Sequence, residues 1–106
     1  MMSVMFDILI NEQDLELESL DYILEKNFFL CDLKYASFHD SKISSVFQKC
    51  DLTAAKFKRC IFTDKFMIID CVMKGVIFED CVFDSEEQLI FLKMLCVEII
   101  NCKVKD

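Results

Sequence analysis

The stretch Cys50-Asp51-Leu52-Thr53-Ala54-Ala55-Lys56-Phe57-Lys58-Arg59-Cys60-Ile61-Phe62 places a large apolar residue at 52, 57 and 62, each preceded two positions earlier by a small one, Cys50, Ala55 and Cys60. A step of five fits neither the period of a helix nor the two-residue alternation of a single strand. It reads as an internal repeat, and repetition decides architecture before any single element does. Extended outward, the step gives centres at Phe28, Leu33, Phe38 and Ile43, then Phe47, Leu52, Phe57 and Phe62, then Ile68, Met73, Phe78 and Phe83. It runs one residue short between Ile43 and Phe47 and one residue long between Phe62 and Ile68, so the twelve units divide into three sets of four.

The rest of the composition agrees with a small folded array. A chain of 106 residues makes one domain without room for a separate catalytic module. Hydrophobic residues at 55% and charged residues at 29% exclude a disordered tail, and no unbroken apolar run approaches the length of a membrane span. Met1 to Ile10 lacks a basic lead and a small-residue cleavage site and carries Asp7, so a cytoplasmic protein is expected, or one of the host cytoplasm if phage-encoded. Zero Pro and one Gly indicate that the chain does not turn by conventional tight turns.

Nineteen acidic against twelve basic residues give a net charge of −7, which disfavours direct nucleic-acid binding because that affinity rests on cations meeting phosphates. Met1 to Glu25 alone holds seven acids and no base. The seven cysteines contain no CxxC pair and there is one His, so neither a metal nor another cofactor is expected. An odd count in a reducing compartment argues for free thiols. Spacings of ten or eleven place Cys50, Cys60, Cys71 and Cys81 within the repeat.

The units resemble the pentapeptide-repeat family, whose pattern is a small residue, Asp or Asn, Leu or Phe, and two variable positions; Cys31-Asp32-Leu33 and Cys50-Asp51-Leu52 match it best. The resemblance covers Lys26 to Ser85; Lys26 and Phe66 depart from it, standing where a small residue belongs. It implies an all-β core, a right-handed quadrilateral β-helix with one five-mer per side and four per coil, here about three coils. Equivalent residues would then stack about one strand spacing apart, roughly 4.8 Å. The columns match in kind: Phe28/Phe47/Ile68, Leu33/Leu52/Met73, Phe38/Phe57/Phe78 and Ile43/Phe62/Phe83, with Cys31/Cys50/Cys71, Ala36/Ala55/Val76 and Ser41/Cys60/Cys81 as the small columns. Both sets point inward, large beside small, to reach native packing density. Five of the cysteines are thereby packing residues.

A solenoid this short exposes its core at both ends unless they are covered. Residues 1–25 are expected to form an N-terminal acidic cap, 26–85 the repeat and 86–106 a C-terminal helical cap. Ser85-Glu86-Glu87-Gln88 is a capping box opening a helix from Glu86 to about Val97, with Leu89, Leu92 and Cys96 on one face. Val97 to Val104 reads equally as continued helix or strand. In the head, Asn11 can cap a helix running to about Lys26 that buries Leu17, Leu20 and Leu24 and lines up Asp14, Glu18, Asp21 and Glu25; a strand reading of the same residues stays open.

Enzymatic constellations are nearly absent. His39 and Asp40, with Ser37 and Ser41 close by, lie on one short surface strand and corner where no cleft converges. A non-enzyme is expected. The first functional expectation is an acidic protein-binding module that inhibits a basic nucleic-acid-binding protein or complex. The partner rows are Asp14, Glu18, Asp21 and Glu25 in the head, and Glu79, Asp80, Asp84, Glu86 and Glu87 at the end of the third set. The resemblance implies the partner class, since family members resemble a DNA rod and occupy the DNA-binding surfaces of type II topoisomerases, and small phage inhibitors of CRISPR surveillance complexes include pentapeptide-like folds. Lys49, Lys56, Lys58 and Arg59 interrupt the negative field, and the size suits the compact anti-CRISPR kind better than a long DNA mimic. The alternative is a structural self-association module. Outward positions Met67, Ile69, Val72, Ile77 and Val82 are apolar, a surface expected to form a homodimer or to be covered by the C-terminal segment.

Overall fold

A computed structural model describes residues 23–106. The chain is mostly β, with twelve short strands and one helix among the described residues. In order these are β1 (Ile23–Leu24), β2 (Phe28–Phe29), β3 (Ser37–His39), β4 (Lys42–Ile43), β5 (Val46–Gln48), β6 (Lys56–Lys58), β7 (Ile61–Phe62), β8 (Met67–Ile69), β9 (Ile77–Glu79), β10 (Val82–Phe83), α1 (Glu86–Lys93), β11 (Glu98–Ile100) and β12 (Lys103–Val104). They form three parallel sheets, ordered β2-β5-β8, β3-β6-β9-β11 and β1-β4-β7-β10-β12. The isolated bridges Asp32↔Asp51 and Asp51↔Val72 add a fourth stacked line. The chain visits these lines cyclically, β2, Asp32, β3, β4 and then β5, Asp51, β6, β7, a path consistent with a β-helix.

The register follows the five-residue step. Phe28 pairs with Phe47 and Phe47 with Ile68, Phe38 with Phe57 and Phe57 with Phe78, and Ile43 with Phe62. Because the strands are parallel and in register, like side chains lie over like. The rings of Phe38 and Phe57 stack at 4.7 Å between centroids, Phe57 and Phe78 at 4.9 Å, Phe28 and Phe47 at 4.9 Å, and Phe62 and Phe83 at 5.1 Å. Neighbouring columns meet edge to face, as Phe38 does with Phe47 at 6.0 Å, so both favoured aromatic geometries are used. Ala36, Ala55, Val76, Ser41, Cys60 and Cys81 fill the small inward positions and are buried. Of the two departures from the pattern, Lys26 is exposed, whereas Phe66 is buried against Phe62 at 4.3 Å and fills the volume opened by the longer step.

The corners explain the scarcity of Gly and Pro. Left-handed backbone recurs in three columns: Leu30, Lys49 and Asp70; Tyr35, Ala54 and Gly75; Asp40, Arg59, Asp80 and Asn101. Each such residue other than Gly costs about 1–2 kcal/mol of local energy. Hydrogen bonds between layers hold the shape, with Leu30 N–H donating to Gln48 O at 3.0 Å and Arg59 N–H to Glu79 O at 2.9 Å. Gly75 shares its corner with Tyr35 and Ala54, so that corner admits glycine without demanding it.

Pairing continues beyond 26–85 at both ends. Ile23–Leu24 pairs with Lys42–Ile43 as a strand, so the helix expected to run to Lys26 does not extend through these residues. At the other end α1 stops at Lys93, and Cys96 lies outside it and is exposed. The following residues return to the sheets, Glu98–Ile100 beside β9 and Lys103–Val104 beside β10. The reason is visible in Val97-Glu98-Ile99 and Cys102-Lys103-Val104, which restore the small-then-large step of five.

The helix begins as its capping residues dictate: Ser85 is extended and its Oγ accepts the Gln88 N–H at 3.2 Å. Leu89 and Leu92 are buried, and Glu86, Glu87 and Lys93 suit the helix dipole. Gln88 also mends the sheet. Between β10 and β7 only Val82↔Ile61 remains in register, and the Gln88 carboxamide accepts the Asp84 N–H at 2.9 Å while donating to the Thr63 carbonyl at 2.9 Å. Gln88→Leu leaves a donor and an acceptor unpaired and is expected to destabilise the fold by about 1–3 kcal/mol. Urea unfolding followed by circular dichroism checks this, and an unchanged midpoint would mean the bridge carries no weight. No helix among the described residues is long and apolar enough to cross a membrane.

Candidate functional site

Of the acidic head row, Asp14, Glu18 and Asp21 lie outside the described residues; Glu25 is exposed in the connection after β1. The second row is not continuous. Glu79 sits on β9 with its carboxylate 3.7 Å from Lys56 Nζ, Asp80 accepts a hydrogen bond from Asn101, and Asp84 holds Lys105 at 2.7 Å. Glu86 and Glu87 lie on the first turn of α1, where Glu87 shares the rim of one groove with Asp84. Parallel stacking is the cause for Asp80 and Asp84, whose partners occupy the equivalent positions of the next layer, whereas Lys56 reaches Glu79 diagonally across the pair Lys58↔Glu79. The same ladder gives Asp40 a bidentate clamp from Arg59, at 2.6 and 2.7 Å. Arg59, then His39, hold the Asp40 carboxyl well below the usual carboxylate range. Residues 23–106 contain thirteen acids and twelve bases, so the acidity of the chain resides in residues 1–22.

The expected apolar surface is likewise divided. Met67 and Ile69 belong to β8, Val72 to the bridged line, Ile77 to β9 and Val82 to β10, one side each, because five residues carry the chain to the next line. Ile77 and Val82 are half-buried and flanked by Glu98 and Lys103, so there the C-terminal segment provides intramolecular cover. Among the described residues no further strand pairs beside Met67 and Val72, which are 51% and 52% exposed. Beside Met67 a groove of about 410 Å³ opens between β8 and α1, with Phe66, Met67 and Ile68 on one wall and Phe91 and Leu92 on the other. Phe66, Phe91 and Leu92 were not among the candidate residues. The signal that marks them is the helix itself, which follows Phe83 where two further five-residue units would have covered Ile68 and Met73.

His39 Nδ1 lies 3.0 Å from Asp40 Oδ2, but Ser41 is buried and its Oγ donates to the His39 carbonyl at 3.1 Å. Among the described residues no three His, Cys, Asp or Glu side chains form a group able to hold a metal. All seven cysteines are free. Cys71, half-buried at the last layer of its column, is held down at about 7 by its hydrogen bond with the Cys50 thiol, against the opposing effect of burial. That same bond and burial push Cys50 far up. The thiolate is the nucleophile, so alkylation of Cys71 by iodoacetamide is expected to rise through pH 7 and level off, while Cys50 stays unmodified in the folded protein. Peptide mapping by mass spectrometry checks this, and a Cys71 rate still climbing at pH 9 would contradict it.

No protein-family model matches the chain, and no curated protein matches it.

Proposed function

We propose that the chain is a right-handed, four-sided β-helix of pentapeptide type with about three full coils, covered at its C-terminal end by α1. On this reading it is a non-enzymatic, cytoplasmic protein-binding module that inhibits a basic nucleic-acid-handling protein. The head residues Asp14, Glu18 and Asp21 meet the partner, and the repeat serves as their scaffold. One observation carries the reading: six acids and no base stand in residues 1–22, ahead of a body whose charges nearly cancel and whose carboxylates at 40, 79 and 84 already hold bases. A concentrated negative segment on a neutral body steers association with a basic groove and resists other partners. Compact size favours an inhibitor of the anti-CRISPR kind over a long DNA-like rod.

The experiment is a binding assay against a purified CRISPR surveillance complex and a purified type II topoisomerase at two salt concentrations. Binding to one of them is expected to weaken roughly tenfold from low to physiological salt and again in the Asp14→Asn, Glu18→Gln, Asp21→Asn triple variant. Binding by the triple variant equal to that of the parent chain would remove the head from the function. The self-association reading draws on Met67 and Val72, which among the five expected interface residues are the half-exposed pair.

A further inference from the structure

The sheet containing β8 stops there, whereas the sheets of β9 and β10 each gain one more strand. The hydrogen bonds joining successive layers follow a fixed plan. At the corner after each strand an N–H donates to the next layer: Leu30 to Gln48 O at 3.0 Å, Lys49 to Ile69 O at 2.9 Å, and in the sheet of β9 Asp80 to Ile100 O at 2.9 Å. In return the carbonyl just before each strand accepts from the next layer: Ser45 O from Met67 N–H at 3.2 Å, Ala55 O from Ile77 N–H at 3.0 Å, and Val76 O from Glu98 N–H at 2.8 Å. Asp70 N–H and Phe66 O hold these two positions on β8, and among the described residues neither meets a partner. An edge with its donor and acceptor already spaced for one more layer is a template for strand addition.

Side chains around this edge specify what would lie on it. In an added strand, alternate residues face opposite sides. One set would fall over Ile68, between Phe66 and the helix residues Phe91 and Leu92, in the place where a fourth layer would put its large apolar residue. The other set would reach the rim, where Asp64 and Glu87 are exposed and form no salt bridge among the described residues. Asp84, also on the rim, is held by Lys105.

We infer that this groove binds an extended segment of a partner protein by strand addition to β8, with an apolar side chain over Ile68 and basic side chains on either side of it. The choice of a basic segment rests on the reading of a basic partner, but the free β8 edge stands without it. The described residues that line the groove differ from the head residues Asp14, Glu18 and Asp21, so the two can fail separately.

The probe is a fluorescently labelled, acetylated pentapeptide of alternating lysine and leucine, titrated into the full chain and read by anisotropy. Two companions share its composition or pattern: one has alternate backbone nitrogens methylated, and one has glutamate in place of lysine. Saturable binding of the first is expected, with at least a roughly tenfold loss for each companion, because strand addition depends on main-chain hydrogen bonds. Slowed hydrogen exchange at the Asp70 amide should accompany it. Asp64→Asn with Glu87→Gln should weaken binding and flatten its salt dependence, while the head triple variant should leave it unchanged. Equal binding of the methylated peptide overturns strand addition. Loss of binding in the head variant overturns the groove and leaves the basic-partner reading intact. If light scattering shows a dimer of the free chain in which Asp70 is already protected, the occupant is a second copy and the inference fails.

Discussion

Phe57→Ala is expected to lower the stability of the chain by about 3–5 kcal/mol. Phe57 is fully buried and stacks on Phe38 at 4.7 Å and on Phe78 at 4.9 Å, with edge contacts to Phe47 at 6.2 Å and Phe62 at 5.6 Å. Truncation removes the middle member of a three-ring column. The rings above and below are fixed by backbone pairing one strand spacing from their neighbours, so they cannot collapse into the gap, and the cavity term is retained. Urea unfolding followed by circular dichroism measures the loss, with Phe57→Leu expected to cost less because it refills part of the volume. Equal stability of Phe57→Ala and the parent chain would mean that this column is not packed as described.

Ala55→Leu is the complementary test. Ala55 lies in the column Ala36/Ala55/Val76, every member of which is fully buried, and its two neighbours in the chain direction, Leu52 and Phe57, already fill the interior. A leucine there has no free volume to enter and must displace a layer, which costs about 1–3 kcal/mol and can exceed that when the backbone is held on both sides. The same substitution at Ala54, half-buried at a corner, should be far milder. Thermal unfolding of the two variants compares them directly, and equal midpoints would contradict the alternation of large and small inward residues.

Much of this arrangement is legible from the residues. The pairs Phe38↔Phe57 and Phe57↔Phe78 follow from counting four steps of five with one slip, and the N-cap follows from Ser85 and Gln88. Once the period is known, the ion pairs follow too, since Asp40 and Arg59, nineteen apart, occupy one corner column. What the sequence obscures has physical causes. The strands β11 and β12 contain only two units, separated from the run by α1, and Leu95, Val97 and Ile99 suit a helix as readily as a strand until pairing with β9 decides. Five-residue spacing also makes Met67, Val72, Ile77 and Val82 look like one surface, although each step turns the chain to another side. The groove escapes a linear reading because Phe66 and Phe91 meet only through the fold.

Residues about twenty apart lie directly over one another in parallel register. Nuclear Overhauser measurements on protein with labelled phenylalanines check this stacking. Ring contacts between Phe38 and Phe57 and between Phe57 and Phe78, with none between Phe38 and Phe78, are the expected result. Contacts from Phe57 to neither of those rings, in a folded protein, would contradict it.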